Sequence, residues 1–164
     1  MTRDIEYSTG DATQPRGDGN RIICHVCNDI GGWGRGFVTA ISKRWPEPEA
    51  RYRAWHREGE AGGFALGAIQ VVEVEPGLSV ANMIAQHRNR SKGGIPPIRY
   101  DALRMCLEKL ADHASRIGAS VHMPRIGCGL AGGTWPEVER IVRATLGAAG
   151  VPVVVYDFEP YGLE

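Results

Sequence analysis

Two glycine-rich stretches constrain this chain more than any other feature. Residues 31–36 (GGWGRG) and 127–133 (GCGLAGG) each lie between an apolar run that reads as a strand and a segment that reads as a helix. Glycine costs conformational entropy and fills no core. Loops this rich in it let the backbone approach something closely. In open α/β sheets, ligands bind beyond the carboxyl ends of the strands. Exposed backbone N–H groups and helix N-termini attract phosphate there. Two such loops facing each other would cradle a diphosphate from both sides.

The rest of the chain fits that frame. Residues 5–8 read as a short first strand and 10–20 as a long turn of Gly, Asp, Asn and Pro. "RIICHVC" is apolar on both faces, the mark of a strand in a sheet covered on both sides. Phe37 to Arg44 reads as a short helix, broken by Pro46 and Pro48 before another begins at Glu49. Residues 67–77 and 78–86 read as two strands joined at Pro76-Gly77. A basic, mobile loop is expected over 87–99. Tyr100 to Ile117 is a helix with Leu103, Leu107, Leu110, Ala114 and Ile117 on one face and Gly118 past its end. A strand follows over 120–124. Thr134 to Ala149 reads as a helix opened by a capping box of Thr134 and Glu137, with Pro136 in its first turn. "VPVVVY" is a last buried strand. The order implies mixed α/β architecture with helices on both faces of one sheet.

Charge excludes some functions. Lys plus Arg (19) equals Asp plus Glu (19), so the chain lacks the basic excess that grips nucleic acid or acidic membranes without specificity. No apolar run is long enough to span a bilayer, and the first twenty residues lack a signal-peptide core. A cytoplasmic protein is expected. Cys24 and Cys27 form C-x-x-C, but positions i and i+3 of a strand point to opposite faces. With no second pair, buried thiols are expected rather than a metal site.

Gly127 to Gly132 also matches G-x-G-x-x-G, with Asp157 placed as a ribose-binding acid after the next strand. A dinucleotide-binding Rossmann domain would need several further strands, and only one follows. The motif is therefore read as a phosphate loop of another fold.

Taken together, the stretches resemble a macrodomain. "GDAT" (Gly10 to Thr13) is similar to the turn after that family's first strand. "ICHVCN" with "GGWGRGF" resembles its second strand and first phosphate loop. "MPRIGCGLAGG" followed by Thr134-Trp135 resembles its second phosphate loop and next helix, and "VVVYDF" its last strand. "MPRIGCGL" is especially similar to the terminal ADP-ribose protein glycohydrolases, and "HVCN…WGRG" to the related ADP-ribose-1''-phosphate phosphatases. The resemblance implies a three-layer α/β/α fold with a central mixed sheet, a single macrodomain over 1–164. It also implies an ADP-ribose site needing no cofactor or metal. Asp11 matches the acid that accepts from the adenine amino group, with the Ala12 N–H beside it. Trp33, Gly34, Arg35, Gly36 and Phe37 match the first phosphate loop. Gly127, Cys128, Gly129, Leu130, Ala131 and Gly132 match the second. Tyr156, Asp157 and Phe158 match the adenine flank, and His25 and Asn28 lie near the distal ribose.

The pattern departs at two places. The glycohydrolases use a lysine and an aspartate where this chain has Gln86 and Ala131. Glutamine cannot form a Schiff base and alanine cannot move a proton. Lys92, further along the loop, is the one nearby candidate to replace the lysine. The expectation is hydrolysis of ADP-ribose from Asp or Glu esters of mono-ADP-ribosylated proteins through a positioned water. Gln86, His25 and Asn28 are its candidate catalytic residues. The alternatives are an ADP-ribose-1''-phosphate phosphatase or another ADP-ribosyl ester or base-adduct hydrolase, and a reader without chemistry. The expected partners are ADP-ribose and ADP-ribosylated proteins, with nucleic acid only if ADP-ribosylated, and the chain is expected to be a monomer.

Overall fold

The computed structural model describes residues 2–158, so the expected 1–164 domain extends past them at both ends. Ten elements follow in chain order: β1 (Glu6–Thr9), β2 (Arg21–Asn28), α1 (Phe37–Arg44), α2 (Glu47–Glu58), β3 (Ile69–Glu75), β4 (Leu78–Gln86), α3 (Tyr100–Ile117), β5 (Ser120–Met123), α4 (Trp135–Val142) and β6 (Val153–Asp157). The six strands form one sheet in the order β1-β6-β5-β2-β4-β3. Only β3 runs antiparallel to its neighbour; every other pairing is parallel. This order and the antiparallel edge exclude the Rossmann reading of Gly127 to Gly132.

Alternation along β2 and β4 explains the layering. Ile22, Cys24, Ala81 and Met83 face one side, where they pack with Leu103, Leu107 and Leu110 of α3 and Val138 and Ile141 of α4. Ile23, Cys27, Val80 and Ile84 face the other, where they meet Ile41 of α1, Tyr52 and Trp55 of α2, and Trp33. Each central strand is apolar on both faces because helices cover both. Cys24 and Cys27 thus sit in opposite cores, and the four cysteines are free. No cluster of metal-ligating side chains occurs among the described residues. No helix among them is long and apolar enough to cross a membrane.

Helices α1 and α3 have the bounds expected from sequence; five local expectations are corrected. Helix α2 begins at Glu47, not after Pro48, because Pro46 caps it and Pro48 falls in the first turn, where no backbone donor is needed. Strand β3 begins at Ile69 rather than Gly67, whose N–H instead donates to the Ile84 carbonyl. The capping box does not form: the Thr134 side chain makes no cap bond and Glu137 pairs with Arg140. The helix also stops at Val142 and continues as a π turn over Arg143–Gly147. Ile117 is 41% exposed, because it lies at the end of α3 beyond the sheet-facing stripe. Leu107→Ala should therefore cost about 2–5 kcal/mol in urea unfolding by leaving a core cavity. Ile117→Ala should cost clearly less; equal losses would place Ile117 in the core.

Candidate functional site

A bulge between Cys27 and Asn28 sets the site. Cys27 pairs with Ile84, but Asn28 pairs with Gln86, so the register skips Ala85 at the carboxyl ends of β2 and β4. The shift places two polar side chains on the wall of a cavity of about 380 Å³. That volume suits a small organic ligand.

Asn28 builds the first loop. Its Oδ1 accepts the N–H groups of Ile30 (3.0 Å) and Gly32 (2.9 Å) and the Tyr52 hydroxyl (2.8 Å), and its Nδ2 donates to the Gly32 carbonyl (3.1 Å). Having spent these groups on the loop, it is a positioning residue. The next amides, Trp33 to Gly36, have no backbone acceptor among the described residues. Gly36 has φ +80° and opens α1, whose first turn carries neither a side-chain cap nor an acid. Gly34, Arg35, Gly36, Phe37 and Val38 all line the cavity, so amides without backbone partners and the positive end of the helix lie on its wall. Trp33 is a lid over the core: it is buried, its Nε1 donates to the Ser42 hydroxyl at 2.7 Å, and its ring meets His25 edge-on at 5.3 Å.

The second loop curls back on itself. The Gly133 N–H donates to the Gly127 carbonyl at 2.8 Å, and a Cβ on Gly133 would stand 2.5 Å from that oxygen. Only glycine fits there. The amides of Gly127 to Ala131 are left without a backbone acceptor among the described residues, and Gly127, Cys128, Gly129, Leu130 and Ala131 line the cavity. The Leu130 side chain crosses to the first loop, lying 3.7 Å from the ideal Cβ position of Gly36. Gly132 is a hinge rather than a wall: it has φ +81° and packs against Pro96.

Sequence reasoning missed Arg125, which lines the cavity just before this loop. Its guanidinium forks onto Asp157 at 2.6 and 3.0 Å and lies 5.3 Å from the Tyr7 ring centre and 5.2 Å from that of Trp135. Its position before a glycine loop was the only local signal; its partners come from three distant elements. Val26, Cys27, Asn89, Pro124 and Ile126 also line the cavity without having been singled out.

Six expected site residues do not line this cavity. Asp11 accepts the Thr13 N–H (2.8 Å) and hydroxyl (2.7 Å) and lies 3.5 Å from Arg44. Partial burial pushes its pKa up, but the Thr13 bonds and Arg44 outweigh that and hold it below the usual carboxylate range. Ala12 and Tyr156 are buried together behind Phe37. Tyr156 is no open adenine flank: its hydroxyl accepts the Arg16 N–H at 3.0 Å and meets His122 Nδ1 at 2.7 Å. Asp157 is held by Arg125, whose hydrogen bonds lower its pKa against the effect of burial. Phe158 is 65% exposed at the end of β6, and Gly132 serves as described.

The cavity holds no ready base. Among the described residues, no Asp, Glu or Lys lines it. Lys92 lies in a separate hollow. His25 is buried, and its Nε2 meets Asn82 Oδ1 at 2.6 Å. The Asn82 amide nitrogen donates to the Pro48 carbonyl and Gln70 Oε1, so its oxygen must accept the His25 N–H. Burial, opposed by that hydrogen bond, lowers the His25 pKa to about 4. Gln86 is nine-tenths buried; its Nε2 donates to the Arg88 carbonyl at 3.0 Å, and its Oε1 accepts nothing from the described residues.

No protein-family model matches the chain. Solved structures do. A macrodomain protein of Streptomyces coelicolor is 53% identical, with a TM-score of 0.84, over 94% of this chain and 99% of that one. The chain belongs to the macrodomain family. A protein of unknown function from Bacteroides thetaiotaomicron is 52% identical, with a TM-score of 0.93, over 96% of this chain and 99% of that one. The chromodomain-helicase-DNA-binding protein 1-like of Mus musculus is 34% identical over 94% of this chain, which spans only 18% of that protein's length. The ADP-ribose 1''-phosphate phosphatase of Candida albicans is 24% identical over 85% of this chain and 92% of its own. Thermosipho africanus DarTG, solved in complex with ADP-ribose, shares the fold at 17% identity and a TM-score of 0.73, over 97% of this chain and 42% of its own.

The buried imidazoles make stability pH-dependent. Burial, the larger cause, and the positive charge of Arg21 also lower the His122 pKa to about 4. Both histidines lie below their ordinary 6.5, so the unfolded chain takes up protons first as pH falls. Their contribution is full above 6.5 and is lost as pH falls from there toward 4. Asp11 and Asp157, lowered from 3.8, act below that window. Urea unfolding should show stability falling by up to about 1.4 kcal/mol per pH unit for each histidine. The slope should flatten in His25→Gln; an unchanged slope would show that His25 is charged in the folded state.

Proposed function

We propose that this chain binds ADP-ribose and releases it from proteins modified on Asp or Glu side chains, through a water held by Gln86. What supports this most is the pair of loops with unpaired amides, Trp33 to Gly36 and Gly127 to Ala131, facing each other across one cavity. Such donors hold a diphosphate on both sides without a metal, and the N-terminus of α1 adds to the field. The relation to an ADP-ribose 1''-phosphate phosphatase agrees with a ligand of this chemistry. Asp11 and the Ala12 N–H are the proposed adenine contacts, at the turn behind Phe37.

The reaction asks little of the protein. Water attacks the acyl carbon, the bond from that carbon to the ribose oxygen breaks, one water proton ends on the ribose oxygen, and the other leaves to solvent as the new carboxylic acid ionises. A free carboxylate and ADP-ribose result. Gln86 Oε1, left free by the Nε2 bond to the Arg88 carbonyl, accepts one water hydrogen and orients the lone pair, and the ligand's own phosphate relays the proton. Orientation alone supplies several kcal/mol of barrier reduction. With neither lysine nor carboxylate on the wall, no covalent adduct forms. That same wall favours a second reading, a reader that holds ADP-ribose without chemistry.

Proteins modified on acidic or on serine side chains separate the readings. Release from acidic side chains alone is expected, and tight binding with no release from either supports the reader. Gln86→Ala should slow release by roughly tenfold or more, about 1.4 kcal/mol. Lys92→Ala should leave the rate at saturating substrate unchanged, and borohydride should trap no ADP-ribosyl-lysine; a trapped adduct would restore the covalent route. Gly36→Glu should abolish ADP-ribose binding in calorimetry, because it places bulk and negative charge among the phosphate donors. Wild-type affinity in folded Gly36→Glu would show that this loop does not bind phosphate.

A further inference from the structure

The segment from His87 to Arg99, HRNRSKGGIPPIR, contains no acidic residue in a chain whose charges balance as a whole. It folds as a small hairpin, with bridges between Gln86 and Ile98 and between Lys92 and Ile95. His87, Arg88, Arg90, Lys92, Ile95 and Arg99 line a hollow of about 310 Å³ beside the main cavity. Gln86 and Asn89 line the cavity, and His87, Arg88 and Arg90, interleaved with them in sequence, line the hollow.

The hollow is built rather than accidental. Asp29 of the first glycine loop anchors it: its Oδ2 meets His87 Nδ1 at 2.7 Å and its Oδ1 accepts the Arg88 N–H at 2.8 Å. Arg88 is held there at φ +65°, the only non-glycine residue in the left-handed region among those described. Such a conformation persists where surrounding contacts enforce it. The Arg99 guanidinium donates to the carbonyls of Pro96, Pro97 and Ile98, closing the far side. Arg88, Arg90 and Lys92 then project with no carboxylate partner among the described residues. Elsewhere among the described residues Arg16, Arg44, Arg53, Arg116, Arg125, Arg140 and Arg143 pair with acids; Arg3, Arg21, Arg35, Arg51, Arg57 and Arg104 do not, but they are scattered along the chain, whereas Arg88, Arg90 and Lys92 fall within one short stretch.

From this we infer that the hollow docks an acidic peptide segment flanking the ADP-ribosylated side chain, with Arg88, Arg90 and Lys92 reading its carboxylates. The inference rests on the proposed ADP-ribose site. The acceptor is attached to the distal ribose, so it leaves the cavity beside Gln86 and Asn89, where the cations begin. A peptide fits better than a nucleic acid. Single strands need aromatic platforms for their bases, and His87, the only aromatic ring in the segment, is tied to Asp29. Ile95, 59% exposed, instead offers an apolar contact to an aliphatic neighbour of the acid. Charge of this kind chooses partners and speeds encounter more than it deepens affinity.

The test uses two peptides carrying ADP-ribose through a non-hydrolysable linkage, one with glutamates on either side and one with serines, and free ADP-ribose as a third ligand. Arg90→Glu combined with Lys92→Glu is the variant; both side chains are exposed and neither lines the main cavity. The wild type should bind the glutamate peptide at least about tenfold more tightly than the serine peptide. The variant should lose or invert that preference while binding free ADP-ribose unchanged. The preference should also shrink as salt rises. Equal binding of both peptides by the wild type overturns the inference and leaves the ADP-ribose site standing. Failure to bind free ADP-ribose overturns both. An ADP-ribosylated oligonucleotide that outcompetes the glutamate peptide, and does so only with Arg90 and Lys92 intact, overturns the peptide in favour of nucleic acid.

Discussion

The parallel pairing of β2 between β4 and β5 governs this molecule. Parallel strands point their carboxyl ends to one edge, so the loops that leave them converge there. Each must climb over a covered face before returning, which puts helices on both sides of the sheet. The backbone donors that the strands no longer use are left at that edge. A bulge at Cys27 and Asn28 then turns the last residues of the central pair into the floor of a cavity. Glycine-rich loops, unpaired amides and a helix N-terminus are consequences of that one arrangement.

Division of labour within the site follows from burial. Asn28 and His25 are spent on structure: one holds the first loop through four hydrogen bonds, the other is locked neutral against Asn82. Tyr156 and Asp11 hold the turn after β1 through Arg16, Thr13 and Arg44. Gln86 and Asn89 are the side-chain amides on the cavity wall with an acceptor left over among the described residues. A site assembled this way binds anions through backbone donors that cannot be deleted by a side-chain change.

Charge is distributed to match. Seven arginines pair with nearby acids, and exposed pairs of this kind contribute little stability. The hairpin after β4 gathers Arg88, Arg90 and Lys92 in one short stretch without such a pair among the described residues, held in shape by Asp29. It follows directly on Gln86, the last residue of β4, which lines the cavity.

The sequence by itself determined the layered fold, the bounds of α1 and α3, and both glycine loops, because these depend on local periodicity and on glycine's freedom to bend. It also settled that Cys24 and Cys27 diverge, since a strand alternates its side chains. Contacts distant in sequence decided the rest. The capping box at Thr134 and Glu137 looked complete, yet Tyr100 and Arg140 took its donors and acceptors. Tyr156 and Asp157 looked open because nothing nearby in the chain announces His122 or Arg125. Arg125 itself was invisible, being placed by aromatic rings of β1 and α4 that meet only after folding. The pairing of Asn28 with Gln86 depends on a one-residue register shift between strands that no local pattern encodes. Local propensity chooses the elements; which side chains reach the cavity is decided by partners that only the tertiary structure brings within reach.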